Sequence, residues 1–298
     1  MATATTLQST PAHQSGGIFQ STSSASHTDS GITVPRGPTR STLTFYAPPA
    51  DGSTPWNYVE TQPEGQPQRN YTEFPQEVDL NDIRGHEHEY DLDKHAFAVV
   101  QGVGSEEKDF NDDEHIKDVY YPEIEKLILN EVPGAKRVLL FDHTIRRSGP
   151  NAPRAPVNRA HIDQTAYSSK LRVEHHLPEE AEELLKNRVR IINVWRPLNG
   201  PVVASPLAFA ASDSVPDSVV VPVEHRYPHR TGETAGIKYS DKAKWFYWSG
   251  MTNTERLFLQ CYDSEKGARV PHTAFKDSRT QPDWPGRESI EVRALVFG

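Results

Sequence analysis

The sequence predicts a mainly β protein with flanking helices, folded as a double-sheet, cupin-like jelly roll. Three observations carry that prediction. From Arg190 onward the apolar runs are short, rich in β-branched and aromatic residues, and separated by Pro, Gly, Asp or Ser. Helical periodicity is confined to two stretches of the N-terminal half, 112–129 and 178–187. The length of 298 residues is enough for one domain with a substantial core.

Taken in order, residues 1–40 are rich in Ser, Thr, Gln and Gly and almost devoid of large apolar side chains, so they are expected to form a disordered tail. Residues 41–85 carry Phe45, Tyr46, Trp56, Tyr58, Tyr71 and Phe74 among many prolines. This composition predicts an extended aromatic arm rather than regular sheet. Such an arm either covers a site or simply packs on the outside of the domain that fills the rest of 41–298. Gly85-His86-Glu87-His88-Glu89 looks like a metal cluster, but it lies in a charged stretch without the helical context of a His-Glu-x-x-His site and reads as a solvated loop.

His95–Gln101 reads as a strand. Ile116, Val119, Tyr120, Ile124, Leu127 and Ile128 then repeat at helical spacing up to Pro133-Gly134, which predicts a packing helix. Arg137–His143 is the next strand, and a polar loop over Pro150–Pro156 leads to Ala160-His161-Ile162-Asp163-Gln164-Thr165. The stretch from Pro178 to Asn187 has Pro in its first turn, early Glu and a late Lys, in accord with a helix dipole. Strands are expected at Arg190–Arg196, Ser218–Val223, Ala243–Trp248, Arg256–Tyr262 and Ser289–Phe297.

Composition excludes several classes of function. With 32 basic against 41 acidic residues the net charge is −9, and no Lys/Arg cluster offers a footprint for nucleic acid. The only cysteine, Cys261, excludes an intrachain disulfide and a cysteine-rich zinc site, suits a reducing compartment, and is expected to be buried and inert. No apolar run reaches the roughly 20 residues needed to span a bilayer. The N-terminus lacks the regions of a signal peptide, so the cytosol is expected. A small-molecule ligand is the implied partner, and a homodimer stays open.

The chemistry gathers at His161-Ile162-Asp163. A His and an Asp two apart on an extended segment project to the same side and can grip one ion. His272, in Val270-Pro271-His272-Thr273, is the third candidate. Two imidazoles and one carboxylate with the other positions open form the facial triad of non-haem iron sites. His225 and His229 lie between and are rival ligands, although so polar a stretch reads more simply as a surface loop. In the last strand Ile290, Val292, Ala294 and Val296 alternate with Arg287, Ser289, Glu291 and Arg293. That charged face looks either into solvent or into a polar cavity, and Arg287 with Ser289 would suit a dicarboxylate.

The strings FDHTIRRSG, NRAHIDQT, RIINVWRPLNGP, CYDSEKGARVPHTAF and RESIEVRALVF resemble the Fe(II)/2-oxoglutarate-dependent oxygenases. They closely resemble the fungal and bacterial branch that includes the cephem methoxylase component, the gibberellin desaturase and the aspergillic-acid hydroxylase/desaturase. The likeness covers about 90–298. It implies a double-stranded β-helix, Fe(II) held by His161, Asp163 and His272, 2-oxoglutarate anchored by Arg287 with Ser289, O2 as co-reactant, and a role in secondary metabolism. Hydrogen abstraction from a substrate C–H bond is implied, followed by hydroxylation, desaturation or ring closure. Asn193, Arg196, Tyr239, Trp245 and Trp248 are the candidate substrate contacts, since an aromatic-lined mouth with few charges suits a small molecule. A non-redox, ligand-binding jelly roll is the alternative, and it would leave Arg287 and Ser289 dispensable.

Overall fold

A computed structural model describes residues 32–148 and 156–298, and Val34–Gly298 forms one compact unit. The β-rich C-terminal half, extended by strands from the N-terminal half, builds two sheets. The larger runs in the order β1 (Thr39–Ala47), β3 (Thr72–Asp82), β11 (Trp245–Tyr247), β8 (Leu207–Ala210), β13 (His272–Ala274), β6 (His161–Ile162), β10 (Thr231–Ile237), β9 (Val220–Arg226), β2 (Trp56–Tyr58). The smaller runs β4 (Phe97–Val100), β12 (Arg256–Asp263), β7 (Val189–Pro197), β14 (Ser289–Phe297), β5 (Arg137–Arg146). The expected mainly β jelly roll is therefore the fold, and each strand expected from Arg190 onward has a counterpart in it.

The small sheet shows why strand alternation matters here. Ile192 and Val194 of β7, with Ile290, Val292, Ala294 and Val296 of β14, face outward. They meet Ile116 and Tyr120 of a π-helical stretch, Ile116–Tyr120, and Ile124 and Ile128 of α2 (Tyr121–Glu131), which follow the single turn α1 (Asp113–His115). The helix expected over 112–129 is thus present, with one π segment inside it. Each fully buried Ile of this layer contributes about 1.5–3 kcal/mol. The inward positions of the same strands, Ile191, Asn193 and Trp195 and then Ser289, Glu291, Arg293, Leu295 and Phe297, line the interior.

Two expectations are corrected. The aromatic segment 41–85 is not an arm but contributes regular strands: β1 pairs antiparallel along its whole length with Thr72–Leu80 of β3, and β3 joins β11 in parallel. The prolines misled because they fall at an edge and in the connection, where the ladder loses little. The tail expected over 1–40 ends earlier, since Arg36 Nη1 donates to the Ser249 carbonyl at 2.6 Å and β1 starts at Thr39. Residues 1–31 and most of the expected 150–156 loop lie outside the described residues. Among the described residues no helix is long and apolar enough to cross a membrane.

One helix was not anticipated. Directly after the His-x-Asp segment the chain forms α3 (Ala166–His176), capped by Thr165, whose hydroxyl accepts from Ser168 N while Ser168 Oγ accepts from Thr165 N. This is a reciprocal capping box. Thr165 also donates to Glu233 on β10, which ties the helix start to the β9–β10 hairpin. Thr165→Ala is expected to destabilise the fold by about 1–2 kcal/mol, read from urea unfolding. The expected helix at 178–187 shrinks to α4 (Ala181–Leu184).

Candidate metal centre and its cavities

His161 lies on β6 and His272 on β13, and the two strands pair with His272 directly opposite His161. Their rings are 4.5 Å apart between centroids. Asp163 follows β6 on the same side, and its Oδ1 lies 3.2 Å from His161 Nε2. Ligand atoms of His161, Asp163 and His272 all fall within 4.8 Å of one another, a spacing one ion can bridge. The structure therefore brings together residues far apart in sequence, because a jelly roll makes β6 and β13 neighbours.

Both imidazoles are oriented from behind. His161 Nδ1 contacts the Arg159 carbonyl at 2.8 Å and His272 Nδ1 the Val270 carbonyl at 3.2 Å. With Nδ1–H donating to those carbonyls, each Nε2 is left as the basic nitrogen. Burial, reinforced by His161, pushes the His272 pKa down to about 4, so it is neutral and able to ligate at neutral pH. Burial alone would raise the Asp163 carboxyl, but Arg293 and the two histidines hold it well below the usual carboxylate range. Its Oδ2 accepts from Asn193 Nδ2 at 2.8 Å and from Arg293 Nε at 2.9 Å.

An open space of about 350 Å³ joins the three residues to Arg287, with Trp195 and Glu291 among its walls. The charged face of β14 thus turns into a cavity rather than into solvent. Arg287 is 3% exposed. Its Nη1 donates to the Ser205 carbonyl at 2.8 Å, its guanidinium stacks 5.3 Å over Trp195, and its Nε has no hydrogen-bond partner. Burial, together with nearby Arg146, lowers its pKa to about 10. A buried guanidinium without a carboxylate in ion-pair contact among the described residues is costly. It is the cradle an incoming carboxylate would fill, and two imidazoles with one carboxylate are the donor set for Fe(II). These residues fit an iron ion and a 2-oxo dicarboxylate. Ser289 is 1% exposed at the start of β14, two positions further on.

A second, larger space of about 1050 Å³ also reaches Asp163. One wall is a face of α3 (Ser168, Leu171, Arg172, His175, spaced as successive turns), the other the β9–β10 hairpin with His225 and Tyr227. Sequence reasoning missed this cleft because it missed α3, although the Thr165-x-x-Ser168 cap was a readable signal.

Four of the proposed substrate contacts fall elsewhere. Arg196 is an outward position of β7, its Nε on the Asn253 carbonyl and its guanidinium 4.8 Å over Phe110. Trp245 packs against Phe45 in the core, and Tyr239 meets Phe45 edge-to-face with ring centroids 5.5 Å apart. Trp248 lies under Arg84 and donates its indole N–H to Glu87. Alternation accounts for Arg196, and the sheet formed by 41–85 for Tyr239 and Trp245. Asn193 does reach the site, but through Asp163. Glu87 belongs to a short 3₁₀ turn, Glu87–Glu89, so the His-Glu run is an anchor for Trp248 rather than only a solvated loop. His225 lines the cleft with its Nε2 on the Thr234 hydroxyl at 2.8 Å, and His229 is exposed. Cys261 is buried, as expected.

A family model described as an oxidoreductase/YMDC permease-like domain matches residues 43–297. The hydroxylase/desaturase poxK of Penicillium oxalicum is 33% identical over 304 residues, covering 88% of this chain and 92% of that protein. The Fe(II)/2-oxoglutarate-dependent dioxygenase nvfI of Aspergillus novofumigatus is 31% identical, covering 87% and 96%. A solved structure of the iron and alpha-ketoglutarate-dependent endoperoxidase NvfI superposes with a TM-score of 0.81 at 30% identity, over 89% of this chain and 99% of that one. With this geometry and these relatives, the chain belongs to the hydroxylase/desaturase family of Fe(II)/2-oxoglutarate-dependent oxygenases.

Proposed function

We propose that this enzyme oxidises a C–H bond of a small, secondary-metabolite or amino-acid-derived substrate, with His161, Asp163 and His272 as iron ligands and Arg287, assisted by Ser289, as the anchor of 2-oxoglutarate. The observation that carries the reading is the convergence of the three ligand atoms beside a buried arginine that lacks a carboxylate partner. When bound, Fe(II) with 2-oxoglutarate and O2 supplies the oxidant that removes substrate hydrogen, and the cosubstrate leaves as succinate and CO2. The chain's residues do the rest. The Arg159 and Val270 carbonyls keep both imidazoles turned with Nε2 forward, and Arg287 holds the far carboxylate at a fixed distance from the ligands. The cleft between α3 and the β9–β10 hairpin receives the substrate beside Asp163, so that substrate and cosubstrate occupy different spaces.

A non-redox binding role is disfavoured, because the relatives matched over most of this chain are named as hydroxylase/desaturase and Fe(II)/2-oxoglutarate-dependent dioxygenase enzymes. The acidic net charge disfavours a nucleic-acid partner, and the lone buried cysteine suits our placement in the cytosol. The test is an anaerobic titration of metal-free protein with Fe(II) and then 2-oxoglutarate. A weak visible charge-transfer band is expected only after both additions. Protein that binds iron but shows no band would refute the 2-oxoglutarate site.

A further inference from the structure

Asn193 occupies an inward position of β7, a strand buried at every residue. It faces Arg293 of β14 across the ladder. Its Nδ2 is spent on Asp163 Oδ2, while its own Oδ1 is buried without a hydrogen-bond partner. A buried orphan acceptor destabilises the folded state. An apolar side chain at this position would avoid that cost, so stability alone does not account for the asparagine.

Arg293 is the second donor to the same oxygen. Its Nε gives to Asp163 Oδ2 at 2.9 Å, its Nη1 to Asp142 Oδ1 at 3.0 Å and Thr144 Oγ1 at 3.1 Å, and its Nη2 to Glu291 Oε1 at 2.6 Å. The planar fork is thereby fixed from β5 and β14 and cannot turn away from Asp163. Oδ2 is saturated by two donors from two strands, and Oδ1 is the oxygen turned toward His161.

We propose that Asn193 and Arg293 are positioning residues that clamp Asp163 by Oδ2, so that this ligand offers the iron Oδ1 alone. Single-oxygen ligation keeps the protein's share to three donor atoms and the remaining positions open for the cosubstrate and O2. A carboxylate free to rotate would offer both oxygens and close one of those positions. The inference rests on the reading of His161, Asp163 and His272 as the ligands.

The test uses metal-free full-length protein titrated with Fe(II) under anaerobic conditions against a competing chelator, with melting curves recorded without metal. Wild type, His272→Ala, Asn193→Leu, Asn193→Ala and Arg293→Lys are compared. Asn193→Leu is expected to melt at or above the wild-type temperature and yet bind Fe(II) about 10–100-fold more weakly, the usual effect of losing a residue that orients a ligand. Asn193→Ala weakens binding alike and keeps the test available if leucine does not fit. Arg293→Lys loses affinity and melting temperature together, because three ammonium N–H groups replace a fork that serves four oxygens. If His272→Ala loses iron while both Asn193 variants bind within about twofold of wild type, the clamp is wrong and the metal centre stands. If His272→Ala binds like wild type, the reading of the metal centre falls and the clamp with it.

Discussion

In Arg287→Ala the concentration of 2-oxoglutarate needed for half-saturation rises by roughly 30-fold to several thousand-fold, while the affinity for Fe(II) alone stays at the wild-type level. The magnitude follows from the cost of truncating one partner of a buried, charge-assisted pair, about 2–5 kcal/mol, at about 1.4 kcal/mol per factor of ten. The guanidinium is 3% exposed, so water can screen little of the interaction. The same burial makes a second outcome specific. In the unliganded protein Arg287 gives one hydrogen bond to the Ser205 carbonyl and leaves Nε unmet. Its removal therefore takes away an unpaired buried charge, and the melting temperature without cosubstrate should hold or rise. Arg287→Lys keeps the charge but not the fork, and is expected to lie between. The measurement is the charge-transfer titration repeated in each variant. An Arg287→Ala protein that saturates at wild-type concentrations would move the anchor elsewhere in the cavity, with Arg146 the next candidate on its wall.

The fold class and several residues that the structure brings together were legible in the sequence. His-x-Asp and Arg287-x-Ser289 were legible because each depends on the two-residue strand repeat, which reads directly from the chain, whereas no local repeat points to His272, which the resemblance supported. The same repeat placed Arg293 and Glu291 on the Arg287 face, but it could not say whether that face met solvent or a cavity, since the closure that buries it comes from strands far away in sequence. Asn193 was singled out as a substrate contact in an aromatic-lined mouth, yet only the register against β14 shows that it serves Asp163. Arg196 was assigned to the same mouth and belongs to the opposite face, among Phe110 and Tyr120. The aromatic N-terminal segment was misread for another reason. Its proline content argued locally against sheet, whereas pairing with β11, some 160 residues onward, supplied the tertiary term that overrides local preference. The helix α3 escaped because its stripe is mixed, with Leu171 and Val173 among Ser, Arg and His, so hydrophobic periodicity carried little signal even where the cap was present.

His272→Ala should lose measurable binding of Fe(II) and, with it, the charge-transfer band and turnover, whereas His225→Ala should titrate with iron as wild type does. Both histidines are pushed down to a pKa of about 4, chiefly by burial, so protonation state does not tell them apart. Geometry does. His272 pairs in register with His161 and has Nδ1 on a backbone carbonyl, which leaves Nε2 beside the His161 and Asp163 donors. His225 has Nε2 engaged by the Thr234 hydroxyl and lines the neighbouring cleft. Removing one of three protein donors should cost well over the roughly 10–100-fold that loss of an orienting neighbour costs. A stability readout makes the comparison independent of catalysis. Metal present at 100 times its dissociation constant stabilises the folded state by about 2.7 kcal/mol, which for a domain of this size is a rise of several degrees in melting temperature. That rise should appear in wild type and His225→Ala, vanish in His272→Ala, and be reversed by a chelator. The converse pattern, iron lost with His225 and retained without His272, would transfer the third ligand to β9, which is separated from β6 by β10 in the sheet.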